Sequence, residues 1–250
     1  MLSLVIPCFN EARRLPPVAS AALAHLSQWS GGAELILVDD GSRDDTWAAI
    51  ERIRRNSPDR VRALRLPDNR GKGAAVRAGF GIARGSTWGY ADADGSAAWS
   101  GLGRLSQALL EPQVAASVGV RTHHETIALP HRRVLGAIFR GVVALLADAG
   151  VDDTQCGFKL FRASAVRPLL RHLTIDRYAF DVELLHLLKA RGHGIAAVPV
   201  TWTHRAGSQL RPLRDGARMM RDLVRWRATP RPLSAIPAPR RSVFRYSSWP

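Results

Sequence analysis

An α/β fold, with a mostly parallel sheet flanked by helices in a single domain, is what this 250-residue sequence predicts. Two patterns carry the prediction. Over the first 120 residues, short continuous apolar runs of strand length alternate with longer segments of helical periodicity. The turns between them are short, as βαβ units require, and no repeat of fixed period competes with that reading.

Leu2 to Pro7 (LSLVIP) reads as a strand covered on both faces, because apolar residues fill it almost without alternation. Glu11 to Gln28 follows as a helix. Ala33 to Asp39 (AELILVD) is a second buried strand, with Gly41-Ser42 as its turn. Asp44 to Arg55 is a helix whose N-terminal carboxylates suit the positive end of the helix dipole. Val61 to Leu66 is a third strand, Gly73 to Arg84 a helix, and Trp88 to Asp92 a fourth strand. Past that point the pattern loosens. Pro130 to Ala149 and Phe180 to Arg191 carry helical periodicity, and Gly194 to Thr201 reads as a strand. At about 100° per residue, Leu213, Ala217, Met220 and Val224 fall within about 60° of one another. Arg214, Arg218, Arg221 and Arg225 form a stripe about 100° away, so Leu213 to Ala228 is a basic amphipathic helix. Residues 229–250, rich in proline and poor in periodicity, are expected to be a flexible tail.

Composition narrows the functional classes. Apolar residues at 46% and charged residues at 23% exclude wholesale disorder. Two cysteines, Cys8 and Cys156, cannot build a disulfide framework and point to a reducing compartment. No basic n-region or cleavage site precedes the first strand, so no signal peptide is expected. The longest apolar stretch, Val134 to Gly150, is broken by Arg140 and Asp148 and falls short of the ~20 residues a bilayer span needs. A soluble or peripheral protein is expected. Charge is the abnormal quantity: 36 Lys and Arg against 21 Asp and Glu give +15. From Arg205 onward, eleven arginines stand against Asp215 and Asp222. Such a block suits an anionic partner (lipid headgroups, a phosphorylated substrate or nucleic acid), or else is a solvated segment of an arginine-rich chain.

Ligands of open parallel sheets bind beyond the carboxyl ends of the strands. Four such ends carry chemistry here: Pro7-Cys8-Phe9-Asn10-Glu11, Asp39-Asp40-Gly41-Ser42, Asn69-Arg70-Gly71-Lys72-Gly73 and Asp92-Ala93-Asp94-Gly95. Carboxylates crowded onto one edge repel unless a cation neutralises them, and a hard divalent ion with oxygen ligands does so most simply. The glycine-lysine loop is neither a nucleotide P-loop nor G-x-G-x-x-G, since Val76 stands where the third glycine belongs. Taken singly, each piece is also an ordinary turn. Their order at successive strand ends is the signal.

These blocks, with Asn69–Arg77 (NRGKGAAVR), resemble the family 2 glycosyltransferases of GT-A fold, and within them the polyprenyl-phosphate sugar synthases. Asp153–Phe161 (DTQCGFKLF), Phe180–Leu185 (FDVELL) and Trp202-x-x-x-x-Gly207-Ser208-x-Leu210-x-Pro212 are similar to the dolichyl-phosphate glucose synthase branch. The resemblance spans about residues 3–225. It implies a glycosyltransferase domain over 1–228, with a nucleotide-sugar half over 1–96 and an acceptor half over 97–228. It implies a nucleotide pocket at Pro7, Phe9, Glu11, Asp40, Lys72 and Asp92, and Mg²⁺ or Mn²⁺ held by Asp92 and Asp94. It also implies an acceptor and phosphate site at Arg121, Arg133, Lys159, Arg205, Ser208 and Arg211. Asp153 stands where a base is sought and is expected to orient the acceptor or bind sugar hydroxyls. Ser96 replaces the glutamine typical of the mannosyl branch, and Asp222 replaces the glutamine of the Gln-x-x-Arg-Trp found in processive synthases. His123-His124 lacks a third ligand at suitable spacing and reads as surface. Asp181 and Glu183 read as structural.

The expected activity is metal-dependent, inverting transfer of a hexose, UDP-glucose being the favoured donor, to a polyprenyl phosphate. The alternatives are a family 2 enzyme acting on a sugar hydroxyl in glycan or cell-wall assembly, and a non-catalytic nucleotide- or nucleic-acid-binding protein. The expected setting is the cytoplasmic face of a membrane, docked peripherally through the basic helix and a separate small membrane-anchor protein, without nucleic acid.

Overall fold

Six of seven strands run in one direction, and the exception is the strand that joins the two halves of the sheet. The computed structural model describes residues 1–121, 141, 147, 149–151, 153–203 and 212–229. In chain order the elements are β1 (Leu2–Cys8), α1 (Leu15–Leu26), β2 (Ala33–Asp39), α2 (Thr46–Asn56), β3 (Val61–Arg65), α3 (Lys72–Ile82), β4 (Thr87–Ala91), α4 (Gly101–Ala108) and β5 (Val114–Arg121). Then come β6 (Phe158–Arg162), a short helical turn over Ala163–Val166 continued as a 3₁₀ helix over Arg167–His172, α5 (Phe180–Ala190), β7 (Gly194–Val200) and α6 (Pro212–Ala228). The sheet order is β3-β2-β1-β4-β6-β5-β7, with β6 antiparallel to both β4 and β5.

The unbroken apolar runs of β1 and β2 follow from burial on both faces, and alternate residues sort into two layers. Val5, Ile36 and Val38 face the layer made with α3, α5 and α6. Leu4, Ile6, Leu35 and Leu37 face the layer made with α1, α2 and α4. Each layer draws residues from both halves of the chain. Edge strand β3 carries Arg62 and Arg65, which discourage pairing with another chain.

Three expectations change. The first helix starts at Leu15, not Glu11, because residues 11–14 form a turn in which the Glu11 carbonyl accepts from the Arg14 and Leu15 N–H groups. The second starts at Thr46, with the Asp44 carboxylate accepting from Thr46 N–H at 3.1 Å. The apolar stripe of α6 is not the face that packs. Met219, Leu223 and Trp226 are buried, whereas Ala217 is exposed and Val224 is 50% exposed. The layer around α5 takes the face with the largest apolar side chain, Trp226, whose ring meets His186 edge-on at 5.1 Å. The helix expected over Pro130 to Ala149, His123-His124 and the tail past Thr229 lie, all or nearly all, outside the described residues.

Candidate active site

The ends of β1, β2, β4, β5 and β7 and the start of β6 share one sheet edge, and a cleft of about 690 Å³ opens there. On its first wall, the chain leaves β1 through Asn10, whose φ of 54° lies in the left-handed region asparagine tolerates. Pro7, Phe9 and Glu11 thereby line the cleft. The Glu11 carboxylate accepts from Arg14 at 2.6 and 2.5 Å. Burial raises the Glu11 pKa, Arg14 opposes that, and Asp94 and Asp44 add to it.

Asp40 lines the cleft, but its two oxygens accept from the Arg70 and Gly71 N–H groups, each at 2.8 Å. It fixes the glycine-lysine loop. Burial raises its pKa, and the two backbone donors and Arg177 pull it back. Gly41 makes the approach of the two loops possible. Its φ is +67°, and a Cβ there would lie 2.5 Å from the Asp68 carbonyl carbon.

The centre of the cleft is Asp92, one residue past β4. Lys72, the first residue of α3, places Nζ 2.6 Å from Asp92 Oδ1. The Asp92 N–H donates to the Gly157 carbonyl at 3.0 Å, and a Cβ on Gly157 would lie 1.8 Å from Asp92 Oδ2. Glycine before β6 is therefore a condition for the carboxylate to sit where it does. Burial raises the Asp92 pKa, Lys72 lowers it, and Asp94 and Asp181 raise it again. Burial works against charge on Lys72, but Asp92 and Asp181 outweigh it and raise its pKa. Asp94 Oδ1 accepts from the Ser96 N–H at 2.8 Å. The turn is pinned to the segment after β7 by Thr203 N–H to Ser96 carbonyl at 2.9 Å.

Lys159 corrects an expectation. It is wholly buried behind this wall and does not line the cleft, so it is not placed to hold an acceptor phosphate. Its ammonium donates to Tyr90 Oη at 2.8 Å and to the Cys156 carbonyl at 2.5 Å, and lies 3.4 Å from Asp181. The Tyr90 hydroxyl donates to Asp181. The Tyr90 ring is close to two cations, with the Lys72 and Lys159 ammonium groups each 5.2 Å from its centroid. Asp181 and Glu183 are structural as expected, with Glu183 accepting from the Thr174 and Ile175 N–H groups.

Arg121, which lines the cleft from the end of β5, grips Asp153 through two hydrogen bonds of 2.8 Å and lies 5.6 Å from the Trp202 ring centroid. Burial raises the Asp153 pKa, but Arg121 more than offsets it and holds the carboxyl below its ordinary range. Arg133, Arg205, Ser208 and Arg211 lie outside the described residues. Arg14, Gln155, Arg177, Tyr178, Trp202, Arg214 and Arg218 line the cleft without having been assigned to it from the sequence. Gln155 and Trp202 stand inside motifs that carry the resemblance, and Arg214 and Arg218 in the arginine stripe of α6, which pointed to a membrane; Arg14, Arg177 and Tyr178 carry no signal.

Among the described residues, no group of three His, Cys, Asp or Glu side chains is placed to hold a metal ion. Asp92 and Asp94 offer hard oxygen donors at the cleft centre, and Asp94 keeps its second oxygen clear of the turn. Two carboxylates suit an ion such as Mg²⁺, which takes its remaining ligands from substrate phosphates and water.

Residues 3–170 match the family model described as Glycosyl transferase family 2. The chain is 39% identical over 237 residues to a dolichyl-phosphate beta-glucosyltransferase of Drosophila melanogaster, covering 89% of this chain and 73% of the relative. It is 37% identical to the Homo sapiens protein of that name, with 89% and 74% covered. Among solved structures it is similar to glucosyl-3-phosphoglycerate synthase from Mycobacterium tuberculosis in complex with Mn²⁺, uridine diphosphate and glucosyl-3-phosphoglycerate. The TM-score is 0.66 at 20% identity, with 90% of this chain and 77% of that one covered. Mannosyl-3-phosphoglycerate synthase from Rubrobacter xylanophilus gives 0.68 at 22%, with 90% and 72% covered. With its strand-end motifs gathered around one cleft, the chain belongs to glycosyltransferase family 2 and is a glycosyltransferase of GT-A fold.

Proposed function

We propose that this enzyme transfers glucose from UDP-glucose to a polyprenyl phosphate of the dolichyl type, with inversion and with Mg²⁺ or Mn²⁺ at Asp92 and Asp94. The observation that carries the reading is the state of Asp153. A sugar hydroxyl acceptor needs a base, and Asp153, the carboxylate the resemblance offers for that role, is not among the residues lining the cleft, is paired with Arg121 and has its pKa lowered by that pairing. A phosphate monoester, with a second pKa of about 6, is mostly dianionic at neutral pH and needs no base. Similarity to dolichyl-phosphate beta-glucosyltransferases supports the same acceptor class and sugar. Ser96 counts against a mannosyl donor.

In this reading Phe9 offers its face to the base, with Pro7 and Glu11 beside it. Asp40 holds the loop that aims Lys72 at the diphosphate. When bound, the divalent ion supplies charge neutralisation at the leaving diphosphate. Arg121 and Asp153 form a rigid pair that orients the acceptor, and Arg133, Arg205, Ser208 and Arg211 complete its site. Positioning and electrostatics supply most of the rate.

The acceptor's hydrocarbon puts the reaction at a bilayer. No helix among the described residues is long and apolar enough to cross one. Peripheral docking on the cytoplasmic face, through the outer surface of α6 and with a separate small membrane protein as anchor, satisfies both conditions. The test is incubation with a panel of radiolabelled nucleotide sugars and polyprenyl phosphate in vesicles, followed by solvent extraction. Label from UDP-glucose should enter the lipid phase as a β-linked glucosyl phosphate. No lipid label, an α-linked product, or full activity in excess EDTA would overturn the acceptor, the single displacement or the metal, respectively.

A further inference from the structure

The arginine stripe of α6 does not face one environment. Met219, Leu223 and Trp226 seat the helix in the core layer shared with α5, which fixes the position of its first turns over the cleft. Arg214 and Arg218 then line the same cleft as Asp92, Asp94 and Arg121. Arg221, 55% exposed, and Arg225, also exposed, do not line that cleft.

Three other cations of the cleft have a carboxylate within ion-pair distance. Arg14 is paired with Glu11, Lys72 with Asp92, and Arg121 with Asp153; Arg177 forms no ion pair among the described residues and only favours the charged form of Asp40 from a longer range. Arg214 has no ion-pair or hydrogen-bond partner among the described residues. Arg218 reaches Asp215 only at 3.9 Å. Arg214 and Arg218, with Arg177, are therefore the cleft cations without a close carboxylate partner among the described residues, and two of the three sit on α6. A phosphate monoester brings a charge of about −1.5 to −2 at neutral pH, and guanidinium forks match its oxygens.

We infer that Arg214 and Arg218 bind the phosphate of the acceptor, which makes the start of α6 part of the substrate site as well as a surface helix. The inference rests on the polyprenyl phosphate reading and deepens it. It also means that reversing all four arginines together would confuse substrate capture with membrane docking.

The experiment compares wild type with Arg214→Ala/Arg218→Ala and with Arg214→Lys/Arg218→Lys. Steady-state kinetics would use UDP-glucose and two acceptors, a long-chain polyprenyl phosphate in vesicles and a short prenyl phosphate free in solution. Calorimetry would follow binding of UDP with Mn²⁺, and circular dichroism would check the fold. The alanine pair should raise KM for both acceptors at least tenfold, with partial recovery in the lysine pair. KM for UDP-glucose and the affinity for UDP should stay within twofold. An unchanged KM for the short acceptor overturns the inference, and so does a parallel loss of UDP affinity, which would assign the arginines to the donor. Wild-type protein that glucosylates neither acceptor overturns the function reading itself, and that result precedes any comparison of variants.

Discussion

On the donor wall, Asp40 is tied to two backbone N–H groups, Glu11 to Arg14 and Asp92 to Lys72. On the wall made by α6, Arg214 stands without a carboxylate partner among the described residues, and Arg218 meets Asp215 only at 3.9 Å. The first wall is locked from behind before any substrate arrives. The second is completed by what binds. Such a division suits an enzyme whose donor must be held at one reacting geometry while its acceptor is a phosphate on a long mobile chain. The donor wall grows from strand ends, where the backbone itself limits movement. The α6 wall comes from a helix that begins about 120 residues after Asp92 and is fixed by three buried side chains.

The donor wall fails most completely at Asp94. Asp94→Ala should lower turnover by at least about a thousandfold, or about 4 kcal/mol of transition-state stabilisation. Its melting temperature should stay within about 2 °C of wild type, since no core packing is lost. Normal rates would remove the metal from Asp94.

The lock behind that wall is the next test. Lys159→Met leaves the buried Asp181 with Tyr90 but without its ion-pair partner, which should cost about 3–5 kcal/mol in denaturant unfolding. A loss below about 1 kcal/mol would show that this pair does not hold the wall in place.

Asp153→Asn separates orientation from base catalysis. The folded pKa of Asp153 is depressed, so its stabilising pairing is present above the unfolded value of about 3.9 and disappears as pH falls through the lower folded value. Between pH 5 and 8 it does not titrate. The variant should lose about tenfold in kcat/KM, near 1.4 kcal/mol, and keep an acid limb near pH 6 that belongs to the acceptor phosphate. If the limb vanishes with the carboxylate, Asp153 is the base.

The smallest effect belongs to the outer face of α6. Arg221→Glu/Arg225→Glu should release the protein from anionic vesicles in sedimentation at low salt, at about 1 kcal/mol per basic residue before the added repulsion. Transfer to the short acceptor should continue. Binding that survives the reversal would move the docking surface elsewhere.

The strand-end motifs of the first half were readable as one cluster because each is local in sequence. Phe9, Asp40, Lys72 and Asp92 each stand within a few residues of an apolar run, and a parallel strand buried on both faces announces itself by that run. The strand β6 does not. FKLFR has a lysine at its second position, and nothing nearby in sequence shows that Tyr90 and Asp181 will neutralise it. The same limit governs α6. Periodicity gives the stripe of Leu213, Ala217, Met220 and Val224, and only the layer around α5 decides that Met219, Leu223 and Trp226 face inward instead. Arg214 and Arg218 carry no mark in sequence that distinguishes them from Arg221 and Arg225.

The antiparallel seam between β4 and β6 has a consequence for how the chain leaves the ribosome. Until β6 arrives, β4 is an open edge beside a finished β3-β2-β1 sheet, with Tyr90 lacking its ring contacts to Phe161 and Phe180. The two strands end about seventy residues apart, at Ala91 and Arg162. At synthesis rates of about 5–20 residues per second, that edge waits roughly 4–14 s for its partner. An unpaired strand of this kind is a template for other chains. A nascent chain paused within this interval is the form most exposed to aggregation and to capture by chaperones, and synonymous codons that slow translation between β4 and β6 should lower the yield of folded protein.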